Sequence, residues 1–145
     1  MAMTITEKIL AAHATAKTVQ PGQNIWVDVD VLMTHDVCGP GTIGILREQF
    51  GPNAKVWDPE KVVIIPDHYI FTADTLSQRN VLLLREFAAQ QGLKYYYDPD
   101  FVTGQGMPAG YKDPKKTPYA GVCHAVLPER GHTRPGEILL GTDSH

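Results

Sequence analysis

A continuous run of β-branched residues occupies positions 62–65, near the middle of the chain. Such a run is typical of a strand that is buried on both faces of a sheet. Proline cannot donate a hydrogen bond to a sheet, so the strand is predicted to end at Pro66. Asp67 and His68 then follow at its carboxyl end, the edge at which open α/β sheets bind their ligands.

Three further segments have the pattern of strands. Residues 25–32 alternate between apolar and polar side chains, which predicts a half-buried strand. Residues 93–97 and 137–140 are short apolar segments next to turn residues, and we expect a strand in each. Residues 121–127 are also apolar, but their pattern fits a helix as well as a strand.

Three helices are predicted from their end signals and apolar spacing. Thr4 and Glu7 form a capping box at the start of the first helix. The second helix is expected at 42–50, after a glycine-rich turn. The third is expected to run to Gln91, with Thr72 or Asp74 as its N-cap and Gly92 as its C-cap. The apolar residues assigned to the inner face of the third helix are Leu76, Leu83, Leu84 and Phe87. Strand, helix and strand in this order predict a right-handed parallel crossover, hence a three-layer α/β/α fold with a mostly parallel sheet.

Length and charge narrow the class of protein. A chain of 145 residues is expected to form one domain, here a single, partial α/β/α domain over residues 1–145. The segment 98–118 is rich in Pro, Gly, Asp and Lys without periodicity, which is typical of a long loop or insertion. A formal net charge of −3 and 20% charged residues give no attraction to nucleic acid or to anionic lipid.

The two cysteines and the amino terminus indicate the compartment. Cys38 and Cys123 lie far apart, and neither belongs to a C-x-x-C pair that could hold a metal. We interpret them as reduced thiols. The first residues include no apolar segment of signal-peptide or membrane-spanning length, so we expect a cytoplasmic chain without a membrane partner.

Polar clusters follow three of the predicted strands. They are His35-Asp36, Asp67-His68 and Asp143-Ser144-His145. Parallel strands would bring all three to one edge of the sheet. A carboxylate beside an imidazole orients the ring and suits general acid–base catalysis near neutral pH. Several such pairs around one site would suit a polycarboxylate substrate whose hydroxyl leaves as water.

Each cluster also has a structural interpretation. Asp67-His68 alone could be a solvated turn, and Asp36 could cap the helix that follows it. Residues 143–145 could be a frayed terminus. His124, in an apolar stretch, has the pattern of a core histidine, and we interpret His13 and His132 as surface residues. The chain has no dinucleotide-binding, P-loop or G-x-S-x-G motif, which argues against nucleotide binding and serine hydrolase chemistry.

Taken together, four motifs resemble successive motifs of the aconitase family. They are residues 31–40 (VLMTHDVCGP), 64–71 (IIPDHYIF), 121–124 (GVCH) and 141–145 (GTDSH). The resemblance extends over essentially the whole chain. It is greatest with the branch that interconverts 2- and 3-isopropylmalate in leucine biosynthesis, with the homocitrate branch of lysine biosynthesis as a near neighbour.

The resemblance implies a 4Fe–4S hydro-lyase that removes and re-adds water through an alkene. Asp67 and His68 resemble a pair in which the histidine protonates the departing hydroxyl. His124 and His145, with Asp143 beside them, resemble residues that hydrogen-bond the water or hydroxyl at the cluster. Ser144 resembles a contact to a substrate carboxylate, and His35 falls where aconitase has a substrate-binding glutamine.

The same resemblance sets limits on this chain. The family's three cluster cysteines follow the Asp-Ser-His motif, and neither Cys38 nor Cys123 matches one of them. We therefore expect no cluster and no metal in this chain by itself, and no dehydratase activity. The implied partners are a small (swivel) subunit and a hydroxy-dicarboxylate substrate.

Two alternatives remain open at this point. A short, non-catalytic protein could use the same domain as a binding or regulatory module. A mononuclear metal site could instead be built from four imidazoles, those of His35, His68, His124 and His145.

Overall fold

The computed structural model describes residues 2–70, 74–97, 99 and 119–143. Within them the helices are α1 (Ile5–Ala12), α2 (Gly39–Phe50), α3 (Thr75–Gln91) and α4 (Cys123–Glu129). The strands are β1 (Val31–Thr34), β2 (Val62–Ile64), β3 (Tyr95–Tyr96) and β4 (Leu139–Gly141).

In the described part of the chain the strands form one four-stranded sheet in the order β3-β2-β1-β4. Every neighbouring pair is parallel. β1 lies between β2 and β4, with Leu32 opposite Val62 on one side and opposite Leu140 on the other. All four strands therefore end at the same edge of the sheet.

Helices cover both faces of the sheet. On one face, Ile43 of α2 and Leu84 and Phe87 of α3 pack against Val62 and Ile64. On the other face, a second buried cluster joins α4 to the sheet through Met33, Val63, Ile65, Cys123, Val126 and Leu127. Alternate residues of β2 thus enter opposite layers, as expected for a strand buried on both faces. The predicted three-layer α/β/α fold class with a parallel sheet is confirmed.

The strands are shorter than predicted, and the first one is shifted along the chain. The prediction of a strand over 25–32 was wrong: β1 begins at Val31, and upstream of it Val27 makes only an isolated antiparallel bridge with Ala14. Trp26 is 93% exposed, because this alternating segment runs along the surface before it reaches the sheet. The predicted strands at 93–97 and 137–140 correspond to β3 and β4.

The longest helix, α3, has the predicted ends, but one residue assigned to its inner face is exposed. The Asp74 carboxylate accepts a hydrogen bond from the backbone N–H of Ser77, and Gly92 ends α3 in the left-handed conformation with φ of 66°. Leu76 is 71% exposed, contrary to the prediction, because the first turn of α3 extends beyond the packed layer. Leu84 and Phe87 are buried as predicted, and Val81, which the prediction did not include, is buried as well.

α2 begins earlier than the predicted residue 42 and packs closely on its neighbours. It starts at Gly39, where a Cβ atom would lie only 2.6 Å from Cδ2 of Leu84. Glycine at this position therefore allows α2 and α3 to approach each other. The segment 121–127, which the sequence left open between helix and strand, contributes to α4.

A histidine joins α1 to the amino end of the sheet. Nδ1 of His13 lies 2.8 Å from the carbonyl oxygen of Ile9, and Nε2 lies 2.7 Å from the Asp30 carboxylate. Asp30 in turn accepts a hydrogen bond from the backbone N–H of Ile138, just before β4. The capping box predicted at Thr4 and Glu7 is present at the start of α1.

The predicted loop at 98–118 lies outside the described residues, apart from Pro99. The assignment of residues 1–145 to one partial domain stays a prediction. Among the described helices, none has the length and apolar character needed to cross a membrane.

Candidate functional site

Three strand ends meet at the carboxyl edge of the sheet. β1 leads into His35 and Asp36, β2 leads through Ile65 and Pro66 into Asp67 and His68, and β4 leads through Thr142 into Asp143. The ladder continues past the strands, since the N–H of Ile65 donates to the Thr34 carbonyl and the N–H of Thr142 donates to the Met33 carbonyl. The hydroxyls of Thr34 and Thr142 lie 2.6 Å apart. This pairing fixes the separation of the three polar segments.

Asp36 is fully buried and organises the segment that follows β2. Its Oδ1 accepts hydrogen bonds from the backbone N–H groups of Asp67, at 3.0 Å, and His68, at 3.1 Å. Its Oδ2 accepts a short hydrogen bond from the N–H of Tyr69. The alternative interpretation of Asp36 as the cap of α2 was wrong, because Cys38 occupies the N-cap position and Asp36 bonds to a different loop.

Asp67 and His68 form a close pair. Nδ1 of His68 lies 2.6 Å from Oδ1 of Asp67, so in the neutral ring Nδ1 carries the proton and donates a hydrogen bond to the carboxylate. The His68 side chain is 42% exposed, whereas that of Asp67 is 1% exposed. Within the described residues, the polar contacts of the His68 ring are made through Nδ1. Nε2 is thus the nitrogen that is available to a ligand.

Asp67 also connects this pair to the first turn of α4. Its Oδ2 accepts a hydrogen bond of 2.6 Å from the backbone N–H of Cys123. Burial, together with a hydrogen bond to Asp67, raises the pKa of the Cys123 thiol to about 12. Cys123 is therefore a protonated thiol at neutral pH.

His35 is 1% exposed and lies behind His68. The two imidazole rings are stacked, with centroids 4.3 Å apart and planes 23° apart. Nδ1 of His35 accepts a hydrogen bond from the N–H of Val37, so Nε2 carries the proton. Within the described chain, this buried Nε2 has no hydrogen-bond partner; the Asp143 carboxylate lies 3.4 Å away but is not aligned for a hydrogen bond.

His124 and Asp143 form a second pair beside the first. Nε2 of His124 lies 3.0 Å from Oδ2 of Asp143, while Oδ1 of Asp143 faces His35. The His124 side chain is 55% exposed, so the interpretation of His124 as a core histidine was wrong. It lies in the first turn of α4, directly after the buried Cys123, and so faces the edge of the sheet.

The structure thus places five of the seven predicted site residues at one edge: His35, Asp67, His68, His124 and Asp143. Ser144 and His145 lie outside the described residues, and the roles assigned to all seven stay predictions. His132 was wrongly predicted to be exposed. It is 8% exposed, and its Nε2 lies 2.6 Å from the Tyr97 hydroxyl.

The mononuclear metal site also stays a prediction, because it includes His145. Ligand atoms of His35, Asp36, Asp67 and His68 do lie within 4.8 Å of one another. However, the oxygens of both carboxylates already accept hydrogen bonds from backbone N–H groups or from His68. Their geometry is that of a hydrogen-bond network around two histidines.

The two cysteines do not fit an iron–sulfur cluster. Such clusters are held by several thiolates. Cys123 is fully buried with a raised pKa and hydrogen-bonds Asp67, and the chain has only one other cysteine, Cys38. These residues cannot form the ligand set of a cluster by themselves.

An apolar cavity of about 400 Å³ lies on the α2 side of the sheet. Its walls include Leu32, Leu46, Trp57 and Leu140. Lys55 is the charged residue of the lining, and none of the carboxylates and histidines of the carboxyl edge lines this cavity.

Two connections within the edge were not recognised in the sequence. Asp36 was assigned to the edge together with His35, but its hydrogen bonds to the loop after β2 were not predicted. Asn80 donates a hydrogen bond of 3.0 Å from Nδ2 to the Asp36 carbonyl. Nothing in the sequence around Asn80, in the middle of α3, indicates this contact.

Comparison with protein families identifies relatives of the whole chain. The family model described as "Aconitase family (aconitate hydratase)" matches residues 7–145. The match includes all three strand ends and α4.

Curated relatives are similar over the same length. The chain is 58% identical over 143 residues to the chloroplastic 3-isopropylmalate dehydratase large subunit of Arabidopsis thaliana, a match that covers 99% of this chain and 26% of the relative. It is 41% identical over 145 residues to the 3-isopropylmalate dehydratase large subunit of Desulfitobacterium hafniense, covering 100% of this chain and 30% of the relative. The chain therefore spans less than a third of the length of these relatives.

Proposed function

The chain belongs to the aconitase family, and from this premise we propose that it is part of the large subunit of a hydro-lyase that interconverts 2- and 3-isopropylmalate. Identity to named large subunits over 99% or more of the chain supports this assignment. The names of these relatives favour isopropylmalate over homocitrate as the substrate.

The observation that carries the proposal is the orientation of His68. Asp67 holds Nδ1 at 2.6 Å, and the ring is partly exposed. A histidine that is fixed through one nitrogen can take up and release a proton at the other without reorienting. We propose that His68, carrying a proton on Nε2 as well as on Nδ1 when the hydroxyl departs, transfers the Nε2 proton to this hydroxyl and is left as the neutral ring with its proton on Nδ1.

The remaining residues of the edge are assigned to binding and positioning. Nε2–H of His35, buried and unsatisfied within the described chain, would donate to a substrate oxygen beside the stacked His68 ring. His124 and Asp143 would hydrogen-bond the hydroxyl or water on the other side of the site. Ser144 and His145 are proposed to contact a substrate carboxylate and the same hydroxyl, respectively.

The 4Fe–4S cluster is proposed for the whole enzyme and not for this chain. Since Cys38 and Cys123 do not fit a cluster, its ligands would belong to the part of the large subunit that is not included in these 145 residues. A small subunit would complete the site. The cytoplasmic location stays a prediction, and the name of one relative is that of a chloroplastic protein.

The proposal is tested with a full-length large subunit that includes this chain, purified anaerobically with its small subunit. We expect the pair to convert 3-isopropylmalate to 2-isopropylmalate. Chromatographic separation of the two isomers measures this conversion. His68→Gln should abolish most of this activity, while His13→Gln, a change of the same type at the other end of the sheet, should preserve it.

Two outcomes would contradict the proposal. One is a cluster-loaded complex that binds isopropylmalate without converting it, which would favour the non-catalytic binding module. The other is a His68→Gln complex as active as the parent, which would remove the assigned proton donor.

A further inference from the structure

Asp36 is the most buried carboxylate of the edge, and it lies behind the residues assigned to catalysis. We propose that Asp36 is a positioning residue for His68. By binding three successive backbone N–H groups, it fixes the orientation of the His68 ring and the ring nitrogen that carries the proton. This inference rests on the proposed function for its catalytic consequence. Its structural part can be tested on this chain alone.

The first step concerns the loop after β2. Pro66 ends the sheet hydrogen bonding of this strand, so the N–H groups of Asp67, His68 and Tyr69 have no neighbouring strand as a partner. All three donate to the Asp36 carboxylate. An ionised carboxylate is purely an acceptor, and its two oxygens can accept all three bonds at once. An amide in its place would turn an N–H donor towards at least one of these backbone N–H groups.

The second step concerns the His68 ring itself. Oδ1 of Asp36 lies 3.9 Å from Nδ1 of His68, on the side of the ring that faces Asp67. Two carboxylates therefore favour a proton on Nδ1, which leaves Nε2 for the ligand. His35, the residue before Asp36, stacks on the face of the same ring. The two neighbouring residues His35 and Asp36 therefore constrain both the face of the His68 ring and its Nδ1 side.

The third step connects this segment to the rest of the fold. Nδ2 of Asn80 in α3 donates to the carbonyl oxygen of Asp36 and so anchors the residue from the helix side. Asp36 thus joins α3 to the loop that presents Asp67 and His68. A residue that only capped α2 would make no bonds to that loop.

The structural part is tested with the chain labelled with ¹⁵N in its histidines. Two-bond ¹⁵N–¹H correlation spectra report which ring nitrogen carries the proton, and His68→Gln identifies the signals of His68. In the parent we expect His68 protonated at Nδ1. In Asp36→Asn we expect a shift towards the Nε2–H form, with the His13 signals unchanged. Retention of the parental His68 pattern in a folded Asp36→Asn chain would overturn the proposal.

Asp30→Asn is the matched control. Asp30 also accepts a backbone N–H and pairs with a histidine, but at the opposite end of the sheet. It should change the signals of His13 and leave those of His68 as they are. If Asp30→Asn altered His68 as much as Asp36→Asn does, the effect would be a general loosening of the fold, and the positioning role would be rejected.

A milder variant keeps the test decisive if Asp36→Asn does not fold. Asn80→Ala removes the bond to the Asp36 carbonyl and leaves the carboxylate in place. We expect a smaller change in the same direction at His68. An unchanged His68 signal in a folded Asn80→Ala chain would then count against the proposal.

The catalytic part is tested in the assembled enzyme. Asp36→Asn should lower kcat by about 10-fold to 100-fold with little change in KM, since a misplacement of the proton donor affects the chemical step. Combined with His68→Gln, it should cause little additional loss. An altered His68 signal in an enzyme that proves not to be a dehydratase would leave the positioning role intact and reject only the proposed function.

Discussion

Two histidine–aspartate pairs lie at opposite ends of the sheet and differ in how the ring is held. At the amino end, both nitrogens of His13 face acceptors, the Ile9 carbonyl and the Asp30 carboxylate. At the carboxyl end, His68 is hydrogen-bonded to the Asp67 carboxylate through Nδ1, which lies 3.9 Å from the Asp36 carboxylate, and its ring is partly exposed. The same two residue types therefore form a structural link in one place and a candidate proton donor in the other.

The difference teaches that a dipeptide or a pairing alone does not define a catalytic histidine. A ring that donates from both nitrogens is held as an imidazolium and has no nitrogen left for a ligand. A ring that is held through one nitrogen is oriented and still reactive at the other. The number of nitrogens engaged by the protein distinguishes the two roles.

The largest effect is expected from His68→Gln in the assembled enzyme. Removal of a general acid should lower kcat by about 10²-fold to 10⁴-fold, measured as the rate of isopropylmalate isomerisation. Because the side chain is partly exposed, urea denaturation of the chain should give a free energy of unfolding close to that of the parent. If His68→Gln caused a large loss of stability and only a small loss of rate, His68 would be a structural residue and not the proton donor.

Asp36→Ala is expected to have the largest effect on stability among these variants. It leaves one buried and two part-buried backbone N–H groups without their acceptor, which should lower the free energy of unfolding by about 3 kcal/mol. Urea denaturation measures the change. Asp74→Ala, which removes an exposed helix cap, serves as the control and should cause a smaller loss. Equal losses would mean that water replaces the Asp36 carboxylate.

Tyr97→Phe probes a third histidine, one that is held as a neutral ring. Burial lowers the pKa of His132, and its Nε2 shares a hydrogen bond of 2.6 Å with the Tyr97 hydroxyl. Loss of this bond should lower the free energy of unfolding by about 1 kcal/mol at pH 7.

His132→Gln tests the same ring through its pH dependence. A lowered histidine pKa in the folded state favours the unfolded chain in acid, so the parent should lose stability as the pH falls below about 6.5. The His132→Gln variant should lose less stability over the same pH range. If the stability of His132→Gln depended on pH as that of the parent does, His132 would not be held as a neutral ring.

The smallest effect is expected from His13→Ala, and it should depend on pH in the opposite sense. The hydrogen bond to the Ile9 carbonyl and the Asp30 carboxylate raise the pKa of His13. The N–H of Ile138 and the His13 ring lower the pKa of Asp30. The pair thus stabilises the fold most between about pH 4 and 6.5, and its contribution is lost as the pH rises through the raised pKa of His13.

Thermal unfolding of the parent and His13→Ala at pH 5 and pH 9 measures this contribution. The difference in midpoint between the two proteins should be larger at pH 5. A difference that is the same or larger at pH 9 would show that His13 contributes through packing and not through its charge.

Much of the fold could be predicted from local signals. The β-branched run before Pro66 identified the central strand, and the caps at Asp74 and Gly92 identified α3. The start of β1 could not be predicted, because the alternation of residues 25–32 fits a surface segment as well as a half-buried strand. Leu76 was wrongly assigned to the inner face of α3. Its spacing fits that face, but the sheet does not reach the first turn of the helix.

The site could be predicted in outline but not in its internal connections. Parallel strands bring His35, Asp67 and Asp143 to one edge, and that follows from the order of predicted elements. The resemblance to the aconitase family is confirmed by the family match over residues 7–145. The bonds from Asp36 to the next loop depend on a separation of a few ångströms between segments that are about 30 residues apart, and no local pattern encodes that distance.

The position of β1 has a consequence for synthesis of the chain on the ribosome. β1 pairs with β2 on one side, but its other side is filled only by β4, and the hydroxyl pair of Thr34 and Thr142 spans 108 residues of sequence. At ordinary rates of translation, one edge of β1 remains unpaired for about 5 to 20 seconds after its emergence. During that interval the edge can template association with other chains, and nascent copies on one messenger RNA are the nearest candidates. Slow decoding between β3 and β4 would lengthen this exposure and favour chaperone engagement before the histidines of the edge assemble.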